Sequence, residues 1–280
     1  MPRTLQVSTA NTAFQRMEVL RRNRTKRHRY GEFLVEGVRP INAMLGNGWT
    51  VRALAYPRVR SLSRWASSIL ETSDADTHFE MDAALFDQLS DKDDPAELLA
   101  VAAMRPDTTD RIPTDATMLV IVIDRPASPG NLGTLIRSAD AFGSTGVIVT
   151  GHGVDLYEPG TIRASVGTFF SMPAIALPSH REVADWIATV RPSHPSLAIV
   201  GTSARATTSL RDFAWPRDIV LAVGNETSGL SHAYRELSDA MVTIPMLGAA
   251  TSLNAAVATS IVLYEVASAR ATTSRANAVQ

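Results

Sequence analysis

Short apolar runs recur along the second half of this chain at intervals that leave room for one helix between neighbours. They lie at Met118 to Asp124, Gly146 to Thr150, Ala174 to Leu177, Leu197 to Gly201, Ile219 to Val223 and Met241 to Ile244. The runs are short, rich in β-branched residues and almost free of polar ones, which is the pattern of parallel strands covered on both faces. Helical spacing falls between them, notably at Leu132 to Phe142, Glu182 to Val190 and Ser252 to Arg270, and the tail from Ala271 to Gln280 is expected to fray. The first hundred residues alternate on a smaller scale. A polar helical stretch from about Asn11 to Asn23 precedes a strand at Phe33-Leu34-Val35-Glu36-Gly37, a helix from Val38 to Leu45 and a strand from Val51 to Tyr56. A helix near Ser61 to Leu70, a short strand near His78, a helix from Met81 to Leu89 and a strand from Leu98 to Ala103 follow. The segment Arg105 to Pro113 holds two prolines and no apolar period, so it reads as a linker. The pattern predicts an α/β protein in two parts: residues 1–104, a linker over 105–116, and a larger unit over 117–280 with a parallel sheet.

Composition adds exclusions. At 280 residues, 45% hydrophobic and 20% charged, the chain is long enough for two modest domains, each with a core. There is no cysteine, which removes disulfides, Cys-ligated metals and any mechanism that adds a thiol to a pyrimidine ring. The six histidines are scattered without metal-ligand spacing, so no metal is expected and no Ser-His-Asp arrangement gains support. The N-terminus lacks an apolar signal core and no apolar run approaches bilayer length, which predicts a cytoplasmic protein with no membrane partner. The formal net charge of -1 hides an asymmetry. Between Met1 and Tyr30 stand Arg3, Arg16, Arg21, Arg22, Arg24, Lys26, Arg27 and Arg29 against only Glu18, while acidic residues gather from Glu71 to Glu97, including Asp91, Asp93 and Asp94, as a solvated face.

Three loops in the second half carry candidate chemistry, each after an apolar run and before a helical pattern, where open α/β sheets bind ligands. In Ser128-Pro129-Gly130-Asn131-Leu132-Gly133, the residues Gly133 and Arg137 lie four apart and share a helix face. Arg137 near a helix N-terminus is either a phosphate clamp or a surface arginine, with Asn131 then an N-cap. In Gly224-Asn225-Glu226-Thr227-Ser228-Gly229-Leu230, Glu226 either orients a donor group or braces its own loop. In Ser252-Leu253-Asn254, Ser252 is a helix cap or a site residue, and Asn254 is expected inside the first helical turn, where an asparagine is hard to justify structurally. The backbone of Ile244-Pro245-Met246 beside it suits the edge of an adenine. Gly151-His152-Gly153 is a decoy for a dinucleotide loop, because Leu156 occupies the place of the third glycine.

Taken together and in this order, the three loops resemble the signature of the SpoU (TrmH-like) branch of the SPOUT RNA methyltransferases. The first motif matches at Asn131, Gly133 and Arg137, the second at Gly224, Asn225, Glu226, Gly229 and Leu230, the third at Ser252, Leu253, Asn254 and Ala258. The N-terminal part is similar to the family's L30e-like RNA-binding domain through Phe33 to Gly37, and the whole chain looks closest to members that modify 23S rRNA and confer antibiotic resistance. The resemblance implies a C-terminal α/β fold with a deep trefoil knot, which ordinary connection rules would never propose. It further implies a homodimer that moves a methyl group from S-adenosylmethionine to a ribose 2′-hydroxyl of RNA, rRNA before tRNA. The cofactor would lie against Thr202, Gly224, Ile244, Met246, Leu253 and Asn254. Asn131, Arg137, Glu226, Ser252 and Asn254 would form the catalytic set, with Arg137 acting from the partner subunit. Because a guanidinium keeps its proton, stabilisation of phosphate and oxyanion suits Arg137 better than base catalysis. Arg21, Arg22, Arg24, Lys26, Arg27 and Arg29 are the expected RNA contacts. Two other classes remain: a non-catalytic RNA-binding protein with the same fold, and a nucleotide-dependent metabolic enzyme on an ordinary doubly wound sheet.

Overall fold

The computed structural model describes residues 2–90 and 96–278. They divide into two compact units, one formed by Met1–Arg105 with Tyr157–Ser171 and the other by Pro106–Leu156 with Met172–Gln280. Of the expected acidic face, Asp91, Asp93 and Asp94 lie outside the described residues. No helix among the described residues is long and apolar enough to cross a membrane.

The first unit runs β1 (Arg3–Val7), α1 (Thr12–Arg22), α2 (Arg24–Tyr30), β2 (Glu32–Glu36), α3 (Val38–Gly46), β3 (Val51–Pro57), α4 (Arg64–Thr72), β4 (Thr77–Met81), α5 (Ala83–Leu89) and β5 (Leu99–Ala103). Its sheet has the order β1-β4-β3-β5-β2, with β5 antiparallel to both neighbours and the rest parallel. Strand β1 escaped the sequence reading because it is a sheet edge with mostly exposed polar residues, and α2 because the basic run shows no apolar period. Asn23 explains the break between α1 and α2: its extended backbone ends the first helix, and its side chain accepts the Lys26 amide to start the second.

The expected C-terminal unit over 117–280 needs one correction, since Tyr157–Ser171 packs with the first unit. This segment contains α7 (Pro159–Ala164) and brings Tyr157, Phe169 and Phe170 onto Phe33 and Trp49, with ring centroids 4.8 Å apart for Phe33–Tyr157 and 5.3 Å for Trp49–Phe170. Trp49 Nε1 donates to the Phe170 carbonyl at 2.9 Å, so the one polar atom of a buried indole is satisfied. Gly167 adopts φ +100° with Arg39 O only 3.2 Å from where a Cβ would stand, so a side chain there meets both strain and backbone.

The second unit contains β6 (Leu119–Asp124), α6 (Pro129–Ala141), β7 (Gly146–Thr150), β8 (Ala174–Leu177), α8 (His180–Val190), β9 (Ala198–Thr202), β10 (Thr208–Ser209), β11 (Ile219–Val223), α9 (His232–Leu237), β12 (Ala240–Thr243) and α10 (Ala255–Ala278). All seven strands are parallel, in the order β10-β12-β9-β11-β6-β7-β8. The six apolar runs are its six long strands. Strands β6, β7 and β11 are buried at every position, which is why their sequences lack polar alternation. The two-residue edge strand β10 had no signal. After β12 the chain runs from Ile244 to Asn254 without regular structure and returns to lay α10 on α6, with Ser138 and Ser260 hydroxyls 2.7 Å apart. The tail expected to fray from Ala271 continues as helix to Ala278.

Candidate active site

Register brings two of the three loops together. Strand β11 pairs with β6 so that Val223 stands opposite Ile123, and both chains leave the sheet at the same level and end. Strand order reverses direction here, since β7 and β8 extend one way from β6 while β9 and β12 lie beyond β11. Such a switch point leaves a crevice at the carboxyl ends of the strands.

Helix α6 begins at Pro129, three residues earlier than its apolar period suggested. Ser128 caps it by accepting the Asn131 amide at 3.3 Å, so Asn131 is not the N-cap and its side chain is released. Asn131 Nδ2 donates to Glu226 Oε1 at 3.0 Å, and Glu226 Oε2 accepts the Ala127 amide at 2.9 Å. Glu226 therefore spans to the first loop rather than only bracing its own. The second loop is braced by Asn225, whose Oδ1 accepts the Thr227 amide at 2.8 Å and whose Nδ2 donates to the Arg125 carbonyl at 2.6 Å. Burial alone would raise the Glu226 carboxyl, but donors from Asn131, Ala127, its own amide and Ser128 outweigh it and hold the group below its ordinary value.

The third loop overturns one expectation. Helix α10 starts at Ala255, and Asn254 is its N-cap, with Oδ1 accepting the amides of Ala256 at 2.9 Å and Val257 at 3.3 Å. Asparagine is among the best residues for that position, which removes the difficulty of an asparagine inside the helix. Ser252 is not the cap, which leaves its other reading as a site residue; it is exposed and has no hydrogen-bond partner among the described residues. Asn254 keeps a second role: its Nδ2 donates to Asn131 Oδ1 at 3.0 Å. The three motifs thus join in a chain Glu226–Asn131–Asn254, each link a side-chain amide.

Beside this chain opens a cleft of about 610 Å³. Thr202, Gly224, Ile244, Met246 and Leu253 all line it, as do Glu226 and Ser252, whereas Asn131, Arg137 and Asn254 do not. Gly224 is obligatory: a Cβ there would sit 2.0 Å from the Leu230 nitrogen and 2.1 Å from the Gly229 carbonyl carbon. Arg137 projects from α6 into solvent without an ion pair among the described residues, while Gly133, four residues earlier, is buried.

Sequence reasoning missed two residues below the loops. Asp124, buried at the end of β6, accepts Arg125 Nε at 3.0 Å and the Ser231 amide at 2.9 Å. Arg125 has φ +55°, an uncommon conformation for arginine, and this turn aims its carbonyl at Asn225. The only sequence signal was the charged pair at the end of an apolar strand.

Of the basic residues expected to meet RNA, Arg22, Arg24 and Arg29 are exposed and Lys26 is half-buried. Arg27 needs correction. Only 2% exposed, it donates to the carbonyls of Leu20 at 3.0 Å and Arg21 at 3.2 Å, closing the end of α1. Arg21 donates to the Gln88 carbonyl, which anchors it to the first unit.

Residues 118–264 match the SpoU rRNA Methylase family, and residues 11–100 match the SpoU L30e-like domain. The chain belongs to the SpoU rRNA methylase family. It is 44% identical over 265 residues to the 23S rRNA (uridine(2479)-2'-O)-methyltransferase of Streptomyces viridochromogenes, covering 94% of this chain and 92% of that relative. The SpoU methyltransferase AviRb from Streptomyces viridochromogenes, solved in complex with the cofactor AdoMet, superposes with a TM-score of 0.89 at 45% identity over 93% of this chain and 98% of that one. An AdoMet-bound rRNA methyltransferase from Sinorhizobium meliloti gives a TM-score of 0.81 at 26% identity, covering 94% and 97%.

Proposed function

We propose that this protein transfers the methyl group of S-adenosylmethionine to a ribose 2′-hydroxyl of 23S rRNA. The observation that carries the reading is the Glu226–Asn131–Asn254 chain of hydrogen bonds standing beside the cleft. The residues present fit the cofactor. The cleft volume lies within the roughly 300–1,000 Å³ common for small-molecule sites. Its walls combine the apolar side chains of Ile244, Met246 and Leu253 with the charged groups of Glu226, Arg205 and Arg235, as an adenosyl group joined to a zwitterionic tail requires.

When bound, the cofactor supplies an electrophilic methyl on a sulfonium. Backbone at Gly224, Ile244 and Met246 holds the adenosyl part, which the missing Cβ of Gly224 makes possible by letting the second loop fold tightly. Asn131 and Asn254 fix each other's amide orientation, so the ribose meets donors and acceptors already set in place. Glu226 remains ionised and holds both Asn131 and the first loop. Ser252, exposed on the strap between β12 and α10, adds a hydroxyl at the mouth. Arg137 stabilises the RNA phosphate and the developing oxyanion through its fork of donors, and it does not act as a base.

The working form is a homodimer. Helix α10 exposes Val257 (50%), Ile261 (37%) and Tyr264 (60%) along one stripe, next to the helix that bears Arg137, and a second copy would cover it. The exposed Arg22, Arg24 and Arg29 then supply phosphate contacts to RNA. The enzyme works in the cytoplasm, and its mark on the ribosome protects against a ribosome-targeting antibiotic.

Ribose methylation mapped on total RNA from cells with and without this chain tests the reading. One additional 2′-O-methyl nucleotide in 23S rRNA is expected. New methylation confined to tRNA, or none at all, would overturn it.

A further inference from the structure

The cleft carries three charged side chains, Glu226, Arg205 and Arg235, and they are not equally committed. Glu226 is held by the Ala127 amide and by Asn131. Arg235 Nη1 is tied to the Leu230 carbonyl at 2.7 Å, where it steadies the end of the second loop. Arg205 is exposed, and among the described residues its guanidinium has neither a hydrogen bond nor an ion pair. Its backbone is nevertheless fixed, because its amide donates to Ser203 Oγ at 3.1 Å in a tight turn just beyond β9.

Sheet order gives this turn its meaning. Strand β9 lies between β12, which leads into the Ile244–Asn254 strap, and β11, which leads into the Glu226 loop. Arg205 therefore leaves the sheet between the two loops that would enclose an adenosyl group, on the same cleft wall as Thr202 and Ser203. An S-adenosyl amino acid presents one anion, its α-carboxylate, and a carboxylate in a partly enclosed cleft calls for a charged donor. A planar guanidinium meets both carboxylate oxygens at once.

We propose that Arg205 binds the α-carboxylate of the cofactor's amino-acid tail, and so selects the intact sulfonium amino acid and its demethylated product over adenosyl compounds that lack the tail. This assignment rests on the reading of the cleft as the S-adenosylmethionine site. It concerns binding, and Arg205 takes no part in methyl transfer. Charge-assisted hydrogen bonds contribute about 1.5–3 kcal/mol, which sets the expected loss on truncation at roughly 10- to 100-fold in affinity.

The test titrates the full-length protein calorimetrically with S-adenosylhomocysteine, which keeps the carboxylate, and with methylthioadenosine, which has none. Arg205→Ala should lose roughly 10- to 100-fold in affinity for S-adenosylhomocysteine and keep its affinity for methylthioadenosine, and Arg205→Lys should recover part of the loss. Because Arg205 is exposed, an unchanged thermal midpoint is expected for both variants. Equal weakening for the two ligands, or no weakening for either, would overturn the assignment while leaving the cleft reading intact. Selective loss in Arg235→Ala in place of Arg205→Ala would transfer the role to Arg235 and also overturn it. Failure of the unmutated protein to bind S-adenosylhomocysteine would instead remove the cleft reading, and the assignment with it.

Discussion

Replacing Glu226 by glutamine isolates the bond that ties two of the three site loops together. Glu226 Oε1 accepts Asn131 Nδ2 at 3.0 Å and Oε2 accepts the Ala127 amide at 2.9 Å, so both carboxylate oxygens face donors. Glutamine presents one oxygen and one NH2, and in either orientation one donor meets another donor. A hydrogen bond to a charged group contributes about 1.5–3 kcal/mol, and the half-exposed setting puts the loss near the lower end, about 1–2 kcal/mol. For a chain of this size that is a fall of roughly 2–8 °C in thermal midpoint. The pH dependence follows from linkage. The folded carboxyl lies below its ordinary value of 4.5, so its contribution is fully present above that value and disappears as pH falls through the depressed folded value. Thermal scans of wild type, Glu226→Gln, Asn131→Ala and the double variant should give a coupling of about 1 kcal/mol at neutral pH, shrinking in acid as the wild-type carboxyl is protonated. Strict additivity at neutral pH, or a coupling that does not shrink at all as the pH is lowered to the acid limit of the folded state, would refute the assigned link.

Arg137→Ala should abolish methyl transfer with cofactor affinity nearly unchanged, because Arg137 does not line the cleft; a matching loss of cofactor binding in calorimetry would contradict the assignment. Gly224→Ala should eliminate cofactor binding, since the new Cβ would stand 2.0 Å from the Leu230 nitrogen; retained affinity would mean that the loop is not fixed as described. Arg27→Ala should destabilise the first unit by about 2 kcal/mol by removing bonds to the Leu20 and Arg21 carbonyls, whereas Arg29→Ala should leave the thermal midpoint unchanged and reduce the salt dependence of RNA binding by about one ion. Asp218→Asn should also lower the thermal midpoint, because this buried carboxylate accepts the Met118 amide at 2.8 Å and the Ser196 hydroxyl at 2.8 Å and faces His194 at 3.4 Å.

The second unit was legible because its strands are buried on both faces. Runs such as Leu119–Asp124 and Ile219–Val223 have no exposed position to interrupt them, so apolarity alone marks six of seven strands. The same logic hid β1 and β10, whose edge positions allow polar residues. The three loops stood out through glycine and asparagine at strand ends, which reflects local backbone need as much as chemistry. Gly224 is fixed by the approach of Leu230, and Asn225 by the turn that it braces.

What the sequence by itself determined was the alternating architecture, the three loops and the residue types within them, because those follow from burial and from local conformational preference. Tertiary structure alone decided their assignments. Asn254 became a cap because α10 starts three residues later than its apolar pattern, and Asn131 was freed because Ser128 caps α6 earlier. Arg27, indistinguishable in sequence from its exposed neighbours, turned inward because the carbonyls ending α1 required donors. Tyr157–Ser171 joined the first unit because Phe33 and Trp49 needed aromatic partners to complete their core. In each case the deciding factor was a partner far along the chain or an unsatisfied backbone group, neither of which a residue announces from its own position.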